Sequence, residues 1–102
     1  MIGFPDFPSG AMEHWGVVGF RESNLFYSED KNSLSSKQSV AFVIAHEIAH
    51  FWFGDLVTCK WWNDLWLNEA MARFLQFKAV DYIFPEWNVV ILKIFSLNNA
   101  IL

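Results

Sequence analysis

The sequence predicts an α+β fold, mainly helical, and three observations carry that expectation. Residues 1–34 combine glycine and proline punctuation with short β-prone runs. Ser35, followed three positions later by Gln38, opens an apolar stretch that reaches Gly54. Asn63-Asp64 opens a second stretch that reaches Phe84 and meets Pro85.

The elements follow in chain order. Gly3, Pro5, Pro8, Gly10 and Gly16 make residues 1–16 a loop with short extended pieces. Residues 15–20 and 25–27 are β-prone and flank the polar Glu22-Ser23-Asn24, which reads as a strand or hairpin. Residues 28–36 are a polar loop. Ser35 and Gln38 form a capping-box pattern, so a helix is expected from about Ser36, with Gly54 as its stop. Apolar residues occupy nearly every side of this helix, which predicts burial on most faces. Asn63 or Asp64 can cap a second helix that runs over residues 63–84, because proline excludes the helical conformation of its predecessor. Residues 86–102 read as a third apolar helix or a partial strand. That last segment is too short for a membrane span and contains Lys93, Asn98 and Asn99.

Composition limits the rest. At 102 residues the chain is at most one domain, yet 54% of it is hydrophobic, with six tryptophans and eleven phenylalanines. A free-standing domain of this size buries only about two-thirds of its unfolded surface. The aromatics therefore read as a slice through a larger core, and the chain alone is expected to be poorly soluble. A net charge of -4 without a Lys/Arg cluster gives no footprint for nucleic acid. A single cysteine, Cys59, excludes an internal disulfide and leaves the redox compartment open. The first residues lack the basic and apolar regions of a signal peptide.

The chemistry centres on His46-Glu47-Ile48-Ala49-His50. Histidines four apart on a helix share a face and can bind one zinc ion, in the H-E-x-x-H pattern of zinc peptidases. The alternative is a pair of histidines hydrogen-bonded inside a helical core. A catalytic zinc needs a third protein ligand and an open position. Glu69, nineteen residues after His50 on the next helix, can supply that ligand. Its neighbours Leu67, Ala70 and Met71 are apolar, so an unpaired carboxylate there would be costly. Glu47 is then the general base: it takes a proton from the attacking water and returns it to the leaving nitrogen. Asp64 either caps the second helix or orients a ligand histidine. Glu13, in a glycine-containing loop, reads from its surroundings alone as a solvated acid.

Three motifs together resemble the M1 zinc aminopeptidases. They are Gly10-Ala11-Met12-Glu13-His14, His46-Glu47-Ile48-Ala49-His50, and the run from Trp61 to Glu69. The resemblance covers residues 3–87 and implies residues 1–102 of a partial, thermolysin-like (gluzincin) catalytic domain. Within it, residues 1–34 would line the substrate, 35–54 form the zinc helix, 63–84 carry the third ligand and 86–102 form a truncated helix. The resemblance implies that one zinc ion is held by His46, His50 and Glu69, with Glu47 as base. It also implies that Glu13 binds the free α-amino group of a peptide and that Gly10, Ala11 and Met12 line its backbone. Glu13 thereby changes from a solvated acid into a substrate ligand.

The chain departs from the family pattern at His14, Phe51, Asp55 and Ala70-Met71, where such enzymes usually carry Asn, Gln, Asn and Gly-Phe. The family's oxyanion-stabilising tyrosine is expected beyond residue 102, and Tyr82 is too close to Glu69 to take that role. Three functions follow: an aminopeptidase, a zinc-binding but inactive homologue, and a thermolysin-like endopeptidase. Glu13 separates the first from the third. Compartment and substrate side-chain preference are not written in these residues.

Overall fold

The computed structural model of the protein describes residues 1–89. A three-stranded sheet precedes two long helices. The strands are β1 (Ile2–Phe4), β2 (Ala11–His14) and β3 (Val17–Arg21), in the order β1-β3-β2. β1 runs parallel to β3, with Gly3 opposite Phe20; β2 runs antiparallel to it, with Glu13 opposite Val18. The α+β expectation holds at this level.

The hairpin lies one element earlier than the β-prone runs suggested. Trp15-Gly16 is its loop, and Gly16 takes φ +75, which a side chain would disfavour. Glu22–Asn24 forms a single 3₁₀ turn, and residues 25–27 form no strand. Two tertiary contacts account for this. The Asn24 side-chain amide donates to the Gly10 carbonyl at 3.1 Å. Leu25 and Phe26 pack onto Gly3, where an added Cβ would meet Phe26 at 3.0 Å. Arg21 ties down the β1–β2 loop by donating to the Phe7 carbonyl at 2.7 Å, so β2 starts at a fixed place beside the helices.

α1 spans Leu34–His50. Its cap is Ser33 rather than Ser35: the Ser33 hydroxyl accepts from the Ser36 amide at 3.2 Å. The helix also ends at His50, short of Gly54, and the chain then turns tightly, with the Asp55 amide bonded to the His50 carbonyl at 2.9 Å. α2 spans Leu65–Ile83 after a 3₁₀ turn at Trp62–Asp64. Asp64 occupies its N-cap position, yet its side chain makes no capping bond. Pro85–Trp87 forms another single 3₁₀ turn. The helix or strand expected over residues 86–102 otherwise lies outside the described residues.

α1 and α2 pack against each other through Val40, Ala49, Ala72 and Val80, with the Phe42 and Phe77 rings edge to face at 5.2 Å. Val18 and Phe20 bury the inner face of the sheet. α1 is less enclosed than its composition suggested: among the described residues its main neighbours are β2, the first 3₁₀ turn and α2. Ile48, for example, is 41% exposed. Among the described residues, no helix is long and apolar enough to cross a membrane.

Candidate metal centre

His46, Glu47 and His50 come from the last turns of α1, where the four-residue spacing stacks both imidazoles on one face. α2 returns alongside α1 and brings Glu69 to that face. His46 Nε2 lies 3.1 Å from His50 Nε2 and 3.2 Å from Glu69 Oε2, while His50 Nε2 lies 3.6 Å from Glu69 Oε1. The three side chains form one potential cation cluster, with donor atoms all within 4.8 Å of one another. Bond lengths of about 2.0–2.2 Å in a tetrahedral site place ligands roughly 3.3–3.6 Å apart. The observed separations of 3.1, 3.2 and 3.6 Å lie close to that spacing.

The proton arrangement also points to a cation. His50 Nδ1 donates to the Phe53 carbonyl at 2.9 Å. His46 Nδ1 donates to Gln76 Oε1 at 3.0 Å. With Nδ1 protonated on each neutral ring, both Nε2 atoms present lone pairs. Two lone pairs and a carboxylate then converge on one point, which is unfavourable without a positive charge between them. The nitrogen and carboxylate donor set suits zinc.

Two residues outside the predicted set build this geometry. Gln76 lies seven positions after Glu69, on the same face of α2, and that spacing was the only sequence signal for it. Gly54 takes φ +152, and an added Cβ would meet His50 Nδ1 at 3.0 Å and the His50 carbonyl at 3.1 Å. A glycine here lets the turn fold tightly under the buried His50 ring and offer it the Phe53 carbonyl. Such outer contacts orient ligand histidines and fix their tautomers.

Glu69 is placed by packing of the helices rather than by burial. Its side chain is 52% exposed, and Leu67 and Met71 are exposed as well. The apolar-neighbour argument for Glu69 therefore does not describe its surroundings; what does is its position opposite two imidazoles. Asp64 makes no bond to a ligand histidine among the described residues. Cys59 is half-buried, with the Asn68 amide 3.7 Å from its sulfur.

β2 closes the other side. Its side chains alternate, so Ala11 and Glu13 turn inward while Met12 and His14 turn outward. Glu13 Oε1 comes within 3.7 Å of His50 Nδ1. Glu47 is buried, and its Oε2 has no hydrogen-bond partner among the described residues. Burial, then the adjacent Glu13 carboxyl, then Glu69, push the Glu47 carboxyl up from 4.5 to about 8. Asp55, where a family pattern has Asn, is also buried. Its carboxyl is raised by burial first and by Glu13 second, with His50 and His14 pulling the other way.

A pH dependence follows for the metal-free protein. Between 4.5 and about 8 the folded state holds a proton on Glu47 that the unfolded state has released. Stability is then greatest at the acid side of this window and declines as pH rises through it. Thermal melting of chelated protein at pH 5 and pH 8 should show the decline, and Glu47→Gln should flatten it. Equal slopes in the two proteins would contradict this origin.

Comparison with known proteins places these features in a family. The model of the peptidase family M1 domain matches residues 1–101. Aminopeptidase N of Mus musculus is 53% identical over 88 residues, covering 86% of this chain and 9% of that protein. Aminopeptidase M1-D of Oryza sativa subsp. japonica is 53% identical over 89 residues, covering 87% and 10% respectively. Tricorn protease-interacting factor F2 of Thermoplasma volcanium is 57% identical over 89 residues, covering 87% and 11%. The chain thus spans roughly a tenth of the length of these curated relatives. On the family match over nearly its whole length, and on identities above half to such distant organisms, this chain belongs to peptidase family M1.

Proposed function

We propose that the protein is a zinc aminopeptidase that removes N-terminal residues from peptides, and that this chain carries the metal-binding and proton-transfer part of a thermolysin-like catalytic domain. The observation that carries the reading is the position of Glu13. A carboxylate on an edge strand, 3.7 Å from a ligand histidine, stands where it can pair with a substrate ammonium beside the metal. Held there, the first residue of a peptide has its own carbonyl within reach of the centre.

His46, His50 and Glu69 would hold one zinc ion. When bound, zinc supplies Lewis acidity toward water and the peptide carbonyl. Glu47 accepts a proton from the attacking water at its unpaired Oε2 and delivers it to the departing nitrogen. The raised affinity of Glu47 for a proton suits both halves of that transfer. Ala11, at the start of β2, offers the strand's free edge to the substrate backbone, an extended partner adding beside an edge strand, while the preceding Gly10 has its carbonyl held by the Arg21 and Asn24 amides.

The test compares leucyl-peptides with free and acetylated N-termini on the zinc-loaded protein. Only the free peptides should be cut, and Glu13→Gln should lower kcat/KM for them by about 10- to 100-fold, from loss of a charge-assisted contact. An endopeptidase would cut the acetylated peptides, and that outcome would overturn the assignment of Glu13.

A further inference from the structure

On the far side of Glu47 from Glu13, the structure holds a cavity of about 470 Å³ between α1 and α2. Phe42 and Val43 of α1 and Phe77 of α2 give it apolar walls, Gly10 and Ala11 at the start of β2 form one rim, and His46 and Glu47 also line it. Arg73 also lines it. Arg73 sits one turn beyond Glu69 on the same face of α2, with its guanidinium over the Phe77 ring at 6.0 Å from the centroid. No carboxylate among the described residues pairs with it.

We infer that this cavity receives the residue following the cleaved bond and that Arg73 selects a carboxylate there. The inference rests on the reading of Glu13 as the amine anchor. The direction comes from the layout of β2 and α1. Glu13 lies over His50, at the C-terminal end of α1, whereas Gly10 and Ala11 lie toward the helix N-terminal side, with the cavity. A peptide with its amine at Glu13 passes Glu47 and enters the cavity with its second residue. Arg73 is exposed and lines the cavity with its guanidinium within 6.0 Å of the Phe77 centroid, and its planar set of N–H donors suits a carboxylate. The cavity's other charged wall residue, Glu47, is spent on proton transfer. The bound carboxylate can be a glutamate or aspartate side chain at the second position, or the α-carboxylate of a dipeptide.

The experiment uses the zinc-loaded Glu47→Gln protein, which binds without turnover. Fluorescently tagged Leu-Glu-Ala-Lys and Leu-Gln-Ala-Lys are titrated by anisotropy, and Leu-Ala and Leu-Ala-amide compete with them. A carboxylate in either position should bind about tenfold tighter than its amide counterpart. Which pair shows the preference identifies the side-chain or the terminal carboxylate as the source. Arg73→Gln should bring the acid-to-amide ratio to near one, and Arg73→Lys should retain part of the preference. Acid-to-amide ratios near one for both pairs, or a preference that survives Arg73→Gln, would overturn the inference while leaving Glu13 in its role. Acetylated peptides binding as tightly as free ones would overturn the Glu13 reading, and with it the direction assumed here.

Discussion

Glu47→Gln is expected to lower peptide hydrolysis by about 10²–10⁴-fold while leaving zinc binding intact. The substitution keeps the shape of a side chain that is only 6% exposed, and it removes a buried proton acceptor beside the histidines whose Oε2 has no hydrogen-bond partner among the described residues. Glutamine cannot take a proton from water at neutral pH. It also relieves the electrostatic conflict that raises the Glu47 carboxyl to about 8, so the fold should not suffer. Turnover of an aminoacyl arylamide, measured beside zinc content per chain, checks both halves of the expectation. Activity within a few-fold of the parent would remove Glu47 from the role of base.

The second large effect concerns Glu69. Glu69→Ala should weaken zinc binding by more than about 100-fold, because even contacts one shell further out are worth 10- to 100-fold. Activity should fall with it. The fold should hardly change, since the side chain is 52% exposed and packs against little besides the two imidazoles. His50→Ala gives the informative contrast. His50 is 1% exposed and bonded to the Phe53 carbonyl, so its removal should cost metal binding and fold stability together. Competition with a chromogenic chelator reads the first quantity, and melting of the metal-free protein reads the second. Unchanged zinc affinity in Glu69→Ala would make the centre a two-histidine site and leave the third ligand to be found elsewhere.

Much of this centre was legible before any coordinates. The pairing of His46 with His50, and the place of Glu47 between them, depend on helical periodicity, which is local and acts over four residues. The choice of Glu69 needed a second helix after a short connector, and Pro85 bounded that helix plainly. The hairpin was harder to place. β-propensity marked residues 15–20 and 25–27, but the pairing was decided by contacts far apart in sequence: Asn24 on Gly10, and Phe26 on Gly3. The helix cap moved as well. Ser33, two residues before the expected cap, is the serine whose hydroxyl accepts an amide hydrogen bond, from Ser36.

By itself the sequence singled out the candidate residues, His46, Glu47, His50, Glu69 and Glu13, in three short motifs. That is possible because helical spacing and residue type suffice to specify a donor set. Tertiary structure alone decided how those donors are protonated and aimed. Gln76 and the Phe53 carbonyl turn both imidazoles so that their Nε2 lone pairs meet Glu69, and Gly54 gives the turn room to do so. Tautomers and close backbone approaches depend on distances between elements, and packing of α1, α2 and β2 sets those distances.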